Sequence, residues 1–391
     1  MRRSTTTAAV ASLATAGLLA LGTIPAAAAA QPPDPLARHN VFRALGADDA
    51  AAAKRGGNHH SPAPGPKDPV TVAEGLAGPL SFAVGGRSTL YVGQAFSGAL
   101  TVLAKGKDPI DLVSSPGTDI AAVAVDHGGL TWAESVFGEE GVLSAVVKHR
   151  TKRGVVSDRA DLLAYELANN PDAGSTYGFQ GLAPECAALV PPFLQSYTGL
   201  IDSHPYGAAI GRYGTYVADA GSNALLKIDY RGRVSTVAVL PGKTVQVTAE
   251  AAAALGIDAC VVGADFILEP VPTDVEIGPD GKLYVTSLPG GPEDGSLGAN
   301  GSLYRVNPQT GAVQLVATGF AGATGLAIAP NGTMYVAELF GGQVSAVSRY
   351  GTVTPFASLT EPAGLEWARG RLYVSTNVLT GPGSIVTLGG H

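Results

Sequence analysis

The sequence is poor in charge, in cysteine and in the short motifs that mark catalytic chemistry. Charged residues make up 15% of the chain, against roughly 25% in an ordinary globular protein. Its formal net charge is −7, which offers nothing to neutralise phosphates, so no nucleic-acid partner is expected. There is no G-x-S-x-G elbow, no H-E-x-x-H, no C-x-x-C and no phosphate-binding glycine loop. A serine hydrolase, a zinc protease and a nucleotide enzyme therefore have no local support. The chain holds only two cysteines, Cys186 and Cys260, and no His/Cys spacing resembles a zinc motif. Glycine, in contrast, is abundant at 52 residues of 391, about twice its usual share. With frequent Val, Thr and Tyr, that composition points to strands and turns.

The first seventy residues read as address and tether. Arg2 and Arg3 precede an uncharged apolar run from Ala8 to Ile24, and Ala28-Ala29-Ala30 follows it. This order predicts a secretory signal peptide over 1–30, a retained membrane anchor being the rival reading. No cysteine follows the run for lipidation, and Leu388-Gly389-Gly390-His391 carries no apolar tail. The mature protein is thus expected to be secreted, with no membrane anchor after signal cleavage. Residues 31–69 combine clustered prolines with Gly56-Gly57 and His59-His60. Such a segment buries too little apolar surface to offset chain entropy and reads as a flexible tether, its histidine pair solvated.

Residues 70–391 repeat a pattern six times: an apolar strand, a Gly- or Pro-rich turn, then an aromatic-Val strand. Clear copies are Thr273-Asp274-Val275-Glu276-Ile277 leading to Leu283-Tyr284-Val285, and Gly325-Leu326-Ala327-Ile328 leading to Met334-Tyr335-Val336. Asp280-Gly281 and Asn331-Gly332 read as two-residue hairpin turns. Third and fourth strands follow at a period near 40 residues, which is the blade of a propeller. The fold class is therefore all-β, a six-bladed β-propeller with two inserted loop/helix segments. The last unit has three strands, and the lone outer strand at Val70-Thr71-Val72-Ala73 is positioned to supply its fourth and close the ring.

The insertions lie near 151–200 and 241–269. The first predicts a helix from an N-cap at Asp158 to Ala168, and the second a helix from Thr248 to Leu255 stopped by Gly256. Each insertion holds one cysteine. In an exported protein a lone pair reads as a disulfide, here one tying the two insertions together, with a metal-binding or catalytic thiol as the competing reading.

One propeller face collects the loops that enter the inner strands and leave the second strands. Asp119, His204 and Asp274 stand at the former positions, and Glu134, Asp219, Glu338 and Asn377 at the latter. These seven form the candidate ligand-binding face. Convergent carboxylates and amides suit a hard cation such as Ca²⁺, for which Glu134, Asp219, Glu338 and Asn377 are the candidate ligands. They also suit acid–base work. The competing reading is that acids after a strand cap turns and that propeller channels are wet. Glu276 and Glu366, inside inner strands, are expected to line the channel lower down.

The stretches Tyr165-Glu166-Leu167-Ala168-Asn169-Asn170-Pro171-Asp172, Ser203-His204-Pro205-Tyr206, Val217-Ala218-Asp219-Ala220-Gly221-Ser222-Asn223-Ala224 and Pro270-Val271-Pro272-Thr273-Asp274-Val275-Glu276 resemble the ScyD/ScyE family of secreted bacterial propellers. The run Leu288-Pro289-Gly290-Gly291-Pro292-Glu293-Asp294 is similar to it as well. The resemblance implies the fold but no catalytic residues. More distantly, the repeats resemble NHL and lactonase-like six-bladed propellers. In the lactonases Glu, Asn and Asp hold a divalent cation over the channel, and Glu134, Asp219, Glu338 and Asn377 are similar in type and placement. Two functions follow as expectations. One is an extracellular binding or scaffold protein, monomeric, whose partner is a small molecule or an extracellular protein or glycan. The other is a metal-assisted, lactonase-like hydrolase.

Overall fold

Short runs in which Val, Leu and Tyr alternate with polar residues, each ended by a glycine turn, cannot bury both faces alone and must stack. The computed structural model describes residues 68–126, 129–139, 141–291 and 298–389. The expected signal peptide and tether, with His59-His60, lie outside the described residues, as do Pro292, Glu293 and Asp294.

The folded chain opens with β1 (Val70–Leu76). Blade I is β2 (Ser81–Val84), β3 (Leu90–Gln94), β4 (Ala99–Leu103) and β5 (Ile110–Ser114). Blade II is β6 (Thr118–Asp126), β7 (Gly129–Gly138), β8 (Gly141–Arg150) and β9 (Val156–Asp161). The first insertion then contributes α1 (Leu162–Asn169), β10 (Thr176–Phe179), α2 (Pro184–Ala187) and β11 (Tyr197–Thr198). Blade III is β12 (Pro205–Gly211), β13 (Gly214–Asp219), β14 (Ala224–Ile228) and β15 (Val234–Val239). The second insertion supplies β16 (Lys243–Gln246), α3 (Ala249–Leu255) and β17 (Asp265–Leu268). Blade IV is β18 (Pro272–Ile277), β19 (Leu283–Ser287), β20 (Gly301–Val306) and β21 (Val313–Phe320), and blade V is β22 (Ala323–Ile328), β23 (Met334–Glu338), β24 (Gln343–Val347) and β25 (Val353–Ser358). Blade VI is β26 (Leu365–Ala368), β27 (Arg371–Thr376) and β28 (Gly383–Gly389), with β1 as its outer strand.

Every blade is antiparallel in the order inner to outer. The six inner strands neighbour one another in a ring that β26 closes on β2. The closing strand is β1, paired with β28 from Val70 opposite Thr387 to Leu76 opposite Gly383, as the sequence predicts. The core sits in the seams between blades. Leu100 of blade I packs with Ile120 and Trp132 of blade II, and Leu225 of blade III with Val275 and Val285 of blade IV. Leu303 and Phe320 of blade IV pack with Leu326 and Val336 of blade V. Each strand's alternation turns one side chain to each neighbouring blade, so every seam holds an apolar cluster.

A seventh four-stranded sheet, in the order β11-β10-β17-β16, is built wholly from the insertions. It has its own core of Phe179, Leu194, Val247, Ala251, Val261 and Phe266, crossed by the Cys186–Cys260 disulfide with a Cα–Cα distance of 5.8 Å. Where the sequence suggests loops and helices alone, tertiary pairing makes strands. No helix of the described residues is long and apolar enough to cross a membrane.

Local corrections have plain causes. The helix of the first insertion starts at an Asp161 N-cap, whose carboxylate accepts from Ala164 N at 2.9 Å, and not at Asp158. Asp158 lies in β9 opposite Lys148, 2.6 Å from its Nζ, so the first insertion begins after Asp161. The helix of the second insertion runs as expected, with Thr248 as N-cap and Gly256 in the left-handed region at φ 65°. The Asp280-Gly281 hairpin is wider than two residues, since Ile277 and Leu283 are its last pair. Pro279 and Asp280 form the turn, and Gly281 follows at φ 71° with its N–H on Gly278 O. Proline's fixed φ suits the first of those positions.

Candidate ligand site in the channel

The polar residues that end the second strands hold loops. Gln94 accepts from Ala77 N at 2.8 Å through Oε1. Asp219 accepts from Ser203 Oγ and His204 N, both at 2.7 Å, and from Ser222 N at 3.3 Å. Ser287 Oγ donates to Pro270 O. Glu338 takes Ala321 N at 2.9 Å on one oxygen, and Gln343 Nε2 at 2.9 Å and Ser345 Oγ at 2.5 Å on the other. In four blades, then, this residue latches the loop that enters the same blade's inner strand. Blade VI reverses the direction, Glu361 accepting from Leu379 N and Thr380 N. Burial raises Asp219 to about 6, against the pull of its three donors.

The four expected cation ligands do not converge. Glu134 lies inside β7, which runs on to Gly138, and binds Trp132 Nε1 at 2.9 Å with Lys148 Nζ 3.7 Å away. Asn377 sits in the left-handed region at φ 53°, its N–H on Thr360 O. The Asp219 and Glu338 oxygens are engaged by the donors above. A set whose Glu134, Asp219 and Glu338 carboxylates are bonded within separate blades does not fit a shared Ca²⁺. Among the described residues, no group of three His, Cys, Asp or Glu side chains is arranged to hold a metal.

What does converge comes from the inner strands. A cavity of about 160 Å³ occupies the mouth of the channel, with lining residues from all six blades. Leu80, Leu288, Phe340 and Leu379 belong to the loops at its rim, while Asp274, Glu276 and Glu366 stand on β18 and β26. Asp274 is fixed at a bulge of β18, one oxygen accepting from Val275 N and the other from Leu326 N of the next blade, both at 2.8 Å. Ser81 does the same for Val123 N between blades I and II. Gly207 of blade III makes room for this: a Cβ there would fall 2.5 Å from Asp274 Oδ1.

Burial raises all three acids. Asp274 rises to about 7 despite its two amide donors. Burial, then the neighbouring Asp274, raises Glu366 to about 8. Burial first, then Glu366 and Asp274, push Glu276 well above the usual carboxyl range. At neutral pH Glu366 holds its proton for the most part.

At one side of the cavity, Asp119 Oδ2 lies 2.6 Å from His204 Nε2. The imidazole is flanked by Phe137 at 4.6 Å and Tyr206 at 4.2 Å between ring centroids. Phe137 reaches it because the β7–β8 hairpin overruns the usual blade length. Of the seven candidate residues, Asp119 and Asp274 line the cavity and His204 bonds Asp119, while Glu134, Asp219, Glu338 and Asn377 lie in separate contacts. Glu276 and Glu366 complete the site. Their signal in the sequence is an acid between core residues of an inner strand, where like-placed residues are Ala or Phe.

No family model matches the chain, and no curated protein matches it. Solved structures do. The PQQ-bound form of aldose sugar dehydrogenase from Streptomyces coelicolor is 12% identical, covering 82% of this chain and 96% of that one, at a TM-score of 0.51. A glucose dehydrogenase is 12% identical over 83% of this chain and 100% of its own, also at 0.51. A gluconolactonase from Xanthomonas campestris is 11% identical over 86% and 99%, at 0.49. At such identities the likeness is one of propeller fold and says nothing of chemistry.

Proposed function

We propose that this chain is an exported ligand-binding propeller whose channel takes a small organic cation carried on an apolar body. The observation behind the reading is the convergence of Asp274, Glu276 and Glu366 beneath an apolar rim, in a cavity with no Lys or Arg among its lining residues. An ammonium or amidinium head entering beside these carboxyls would draw off their protons, and the apolar body would lie against Leu80, Phe340 and Leu379. A small molecule fits a cavity of this size better than an extracellular protein or glycan. The disulfide and the absence of a membrane-crossing helix among the described residues are compatible with a secreted, soluble protein. The ring closes within one chain, which supports a monomer. Membership of the ScyD/ScyE family belongs to the same reading, carried by the motifs around Asp219 and Asp274.

Isothermal titration with n-octylammonium and n-octanol as probes tests this. The ammonium should bind roughly tenfold tighter and release protons, seen as a heat that varies with the buffer's ionisation enthalpy. Joint Glu276→Gln and Glu366→Gln substitution should erase the preference. Equal affinity for both probes would defeat the cation reading, and binding of neither would defeat the site.

The Asp119–His204 contact favours a second reading, acid–base chemistry at the same cavity. Hydrolysis of lactones or aryl esters that vanishes in His204→Gln would support it. A Ca²⁺-assisted hydrolase on Glu134, Asp219, Glu338 and Asn377 is the weaker form, because the three carboxylates are bonded within their own blades.

A further inference from the structure

Six buried side-chain oxygens among the described residues lack a hydrogen-bond partner, and five of them lie in one place. They are Glu166 Oε1 and Oε2, Asn170 Oδ1, Asp172 Oδ1 and Ser222 Oγ. Three segments meet there. The first is α1 with its C-terminal turn, carrying Glu166, Asn170 and Asp172. The second is the loop before β12, whose Asp202 amide faces Glu166. The third is the β13–β14 turn, carrying Asp219, Ser222 and Asn223. Asn223 Nδ2 donates to Asp172 Oδ2 at 2.9 Å, and Asn170 Nδ2 to Gly199 O at 3.0 Å. Gly199 packs directly on Asp172, with the position of a Cβ only 2.0 Å from Oδ1. The charges of Asp219, Asp172 and Asp202 all act on Glu166.

Glu166 and Asp172 are each 1% exposed and Ser222 is 0% exposed. Among the described residues, Glu166, Asp172 and Asp219 make no ion pair with a Lys, Arg or His. Acidic oxygens shut away from water with neither donor nor counter-charge are costly and rare. A cation held between them would supply the missing partner. The donors are all oxygen, which excludes soft metals. No three acidic groups form a compact cage, so neutral oxygens must fill the shell. That mixture suits a cation of high and flexible coordination.

We propose that this junction is a Ca²⁺ site, with carboxylate oxygens from Glu166 and Asp172 and neutral oxygens from Asn170 and Ser222, joining the first insertion to blade III. It is separate from the channel and independent of the ligand proposed there. Asp219 adds charge to the site, while its own oxygens hold Ser203, His204 and Ser222.

The test uses the full-length secreted protein stripped with EDTA. Ca²⁺ should raise its melting temperature by a few degrees. Tb³⁺ should bind with sensitised emission, because Tyr177 donates its hydroxyl to Asp172 at 3.0 Å and serves as the antenna. Ca²⁺ should displace the Tb³⁺. Glu166→Gln and Asp172→Asn should each abolish both signals, whereas Glu366→Gln in the channel should keep them. Should the acidic variants fail to fold, Ser222→Ala tests the same shell, through Ca²⁺ affinity weakened several-fold. Wild-type protein indifferent to Ca²⁺ and dark with Tb³⁺ would overturn the proposal, leaving buried water as the partner of these oxygens. A Ca²⁺ shift that survives in Glu166→Gln would overturn it too, placing the ion elsewhere.

Discussion

Glu338 and Glu366 stand on neighbouring blades and near the same face, yet one holds the fold and the other strains it. Glu338 is 3% exposed, and a backbone amide, a side-chain amide and a hydroxyl all donate to it. Glu366 lies in the channel beside Asp274 and Glu276, where burial raises it to about 8. A buried carboxylate stabilises when donors surround it and costs stability when only other acids do. Residue type alone therefore cannot separate a latch from a ligand site. The count of donors pointed at the oxygens can.

Removing a latch should have the largest effect. Glu338→Ala strands three donors and should cost about 2–4 kcal/mol of stability, read from urea unfolding, with octylammonium affinity in the channel unchanged. A loss below about 1 kcal/mol would mean that water replaces the side chain and that the latch is incidental.

The channel acids should show the opposite sign. An unfolded glutamate titrates near 4.5, and folded Glu366 near 8, so over that interval the native state keeps a proton that the unfolded chain releases. The contribution of Glu366 to stability is whole below about pH 4.5 and falls as pH rises through about 8. Glu366→Gln should thus leave the melting temperature unchanged at pH 5 and raise stability by about 1–2 kcal/mol at pH 9. A wild-type melting temperature that is flat across this range, and that the substitution does not alter, would remove the strain from the picture.

Gln94→Ala tests whether a neutral latch follows the same rule. It frees Ala77 N and Thr101 Oγ1 and should cost about 1 kcal/mol. Smallest of all, Asn377→Gly should change stability by less than about 0.5 kcal/mol, since glycine adopts the left-handed conformation at φ 53° freely. A large loss at Asn377 would show that its side chain, and not its backbone, matters.

The blades were legible because their code is local and repeated. Alternation assigns each strand a face, and glycine marks each turn. The lone strand at Val70 could be matched to the missing strand of blade VI by counting alone. The site was legible only in part. Asp119, His204 and Asp274 stand out at the starts of inner strands; Asp119 and Asp274 line the cavity, and His204 bonds Asp119. Glu134, Asp219, Glu338 and Asn377 recur at an equally regular spacing. For Asp219 and Glu338 that position carries a side-chain hydrogen bond to the loop entering the same blade, whereas Glu134 bonds Trp132 within its own strand and Asn377 meets Thr360 through its backbone. Glu276 and Glu366 lie 90 positions apart in the chain, and only the curvature of the ring brings them together. The seventh sheet escaped for a similar reason. β10 pairs with β17 across the whole of blade III, and such pairings leave no local trace.

The sequence by itself determined the number of blades, the strand that closes the ring, the two insertions and the pairing partners of the two cysteines. All of these rest on periodicity, or on there being only one possible match. Tertiary structure decided which acids are latches, which face the channel and which gather beneath the insertions. That division depends on the donors within about 3 Å of each oxygen, and these come from segments the chain order does not bring together.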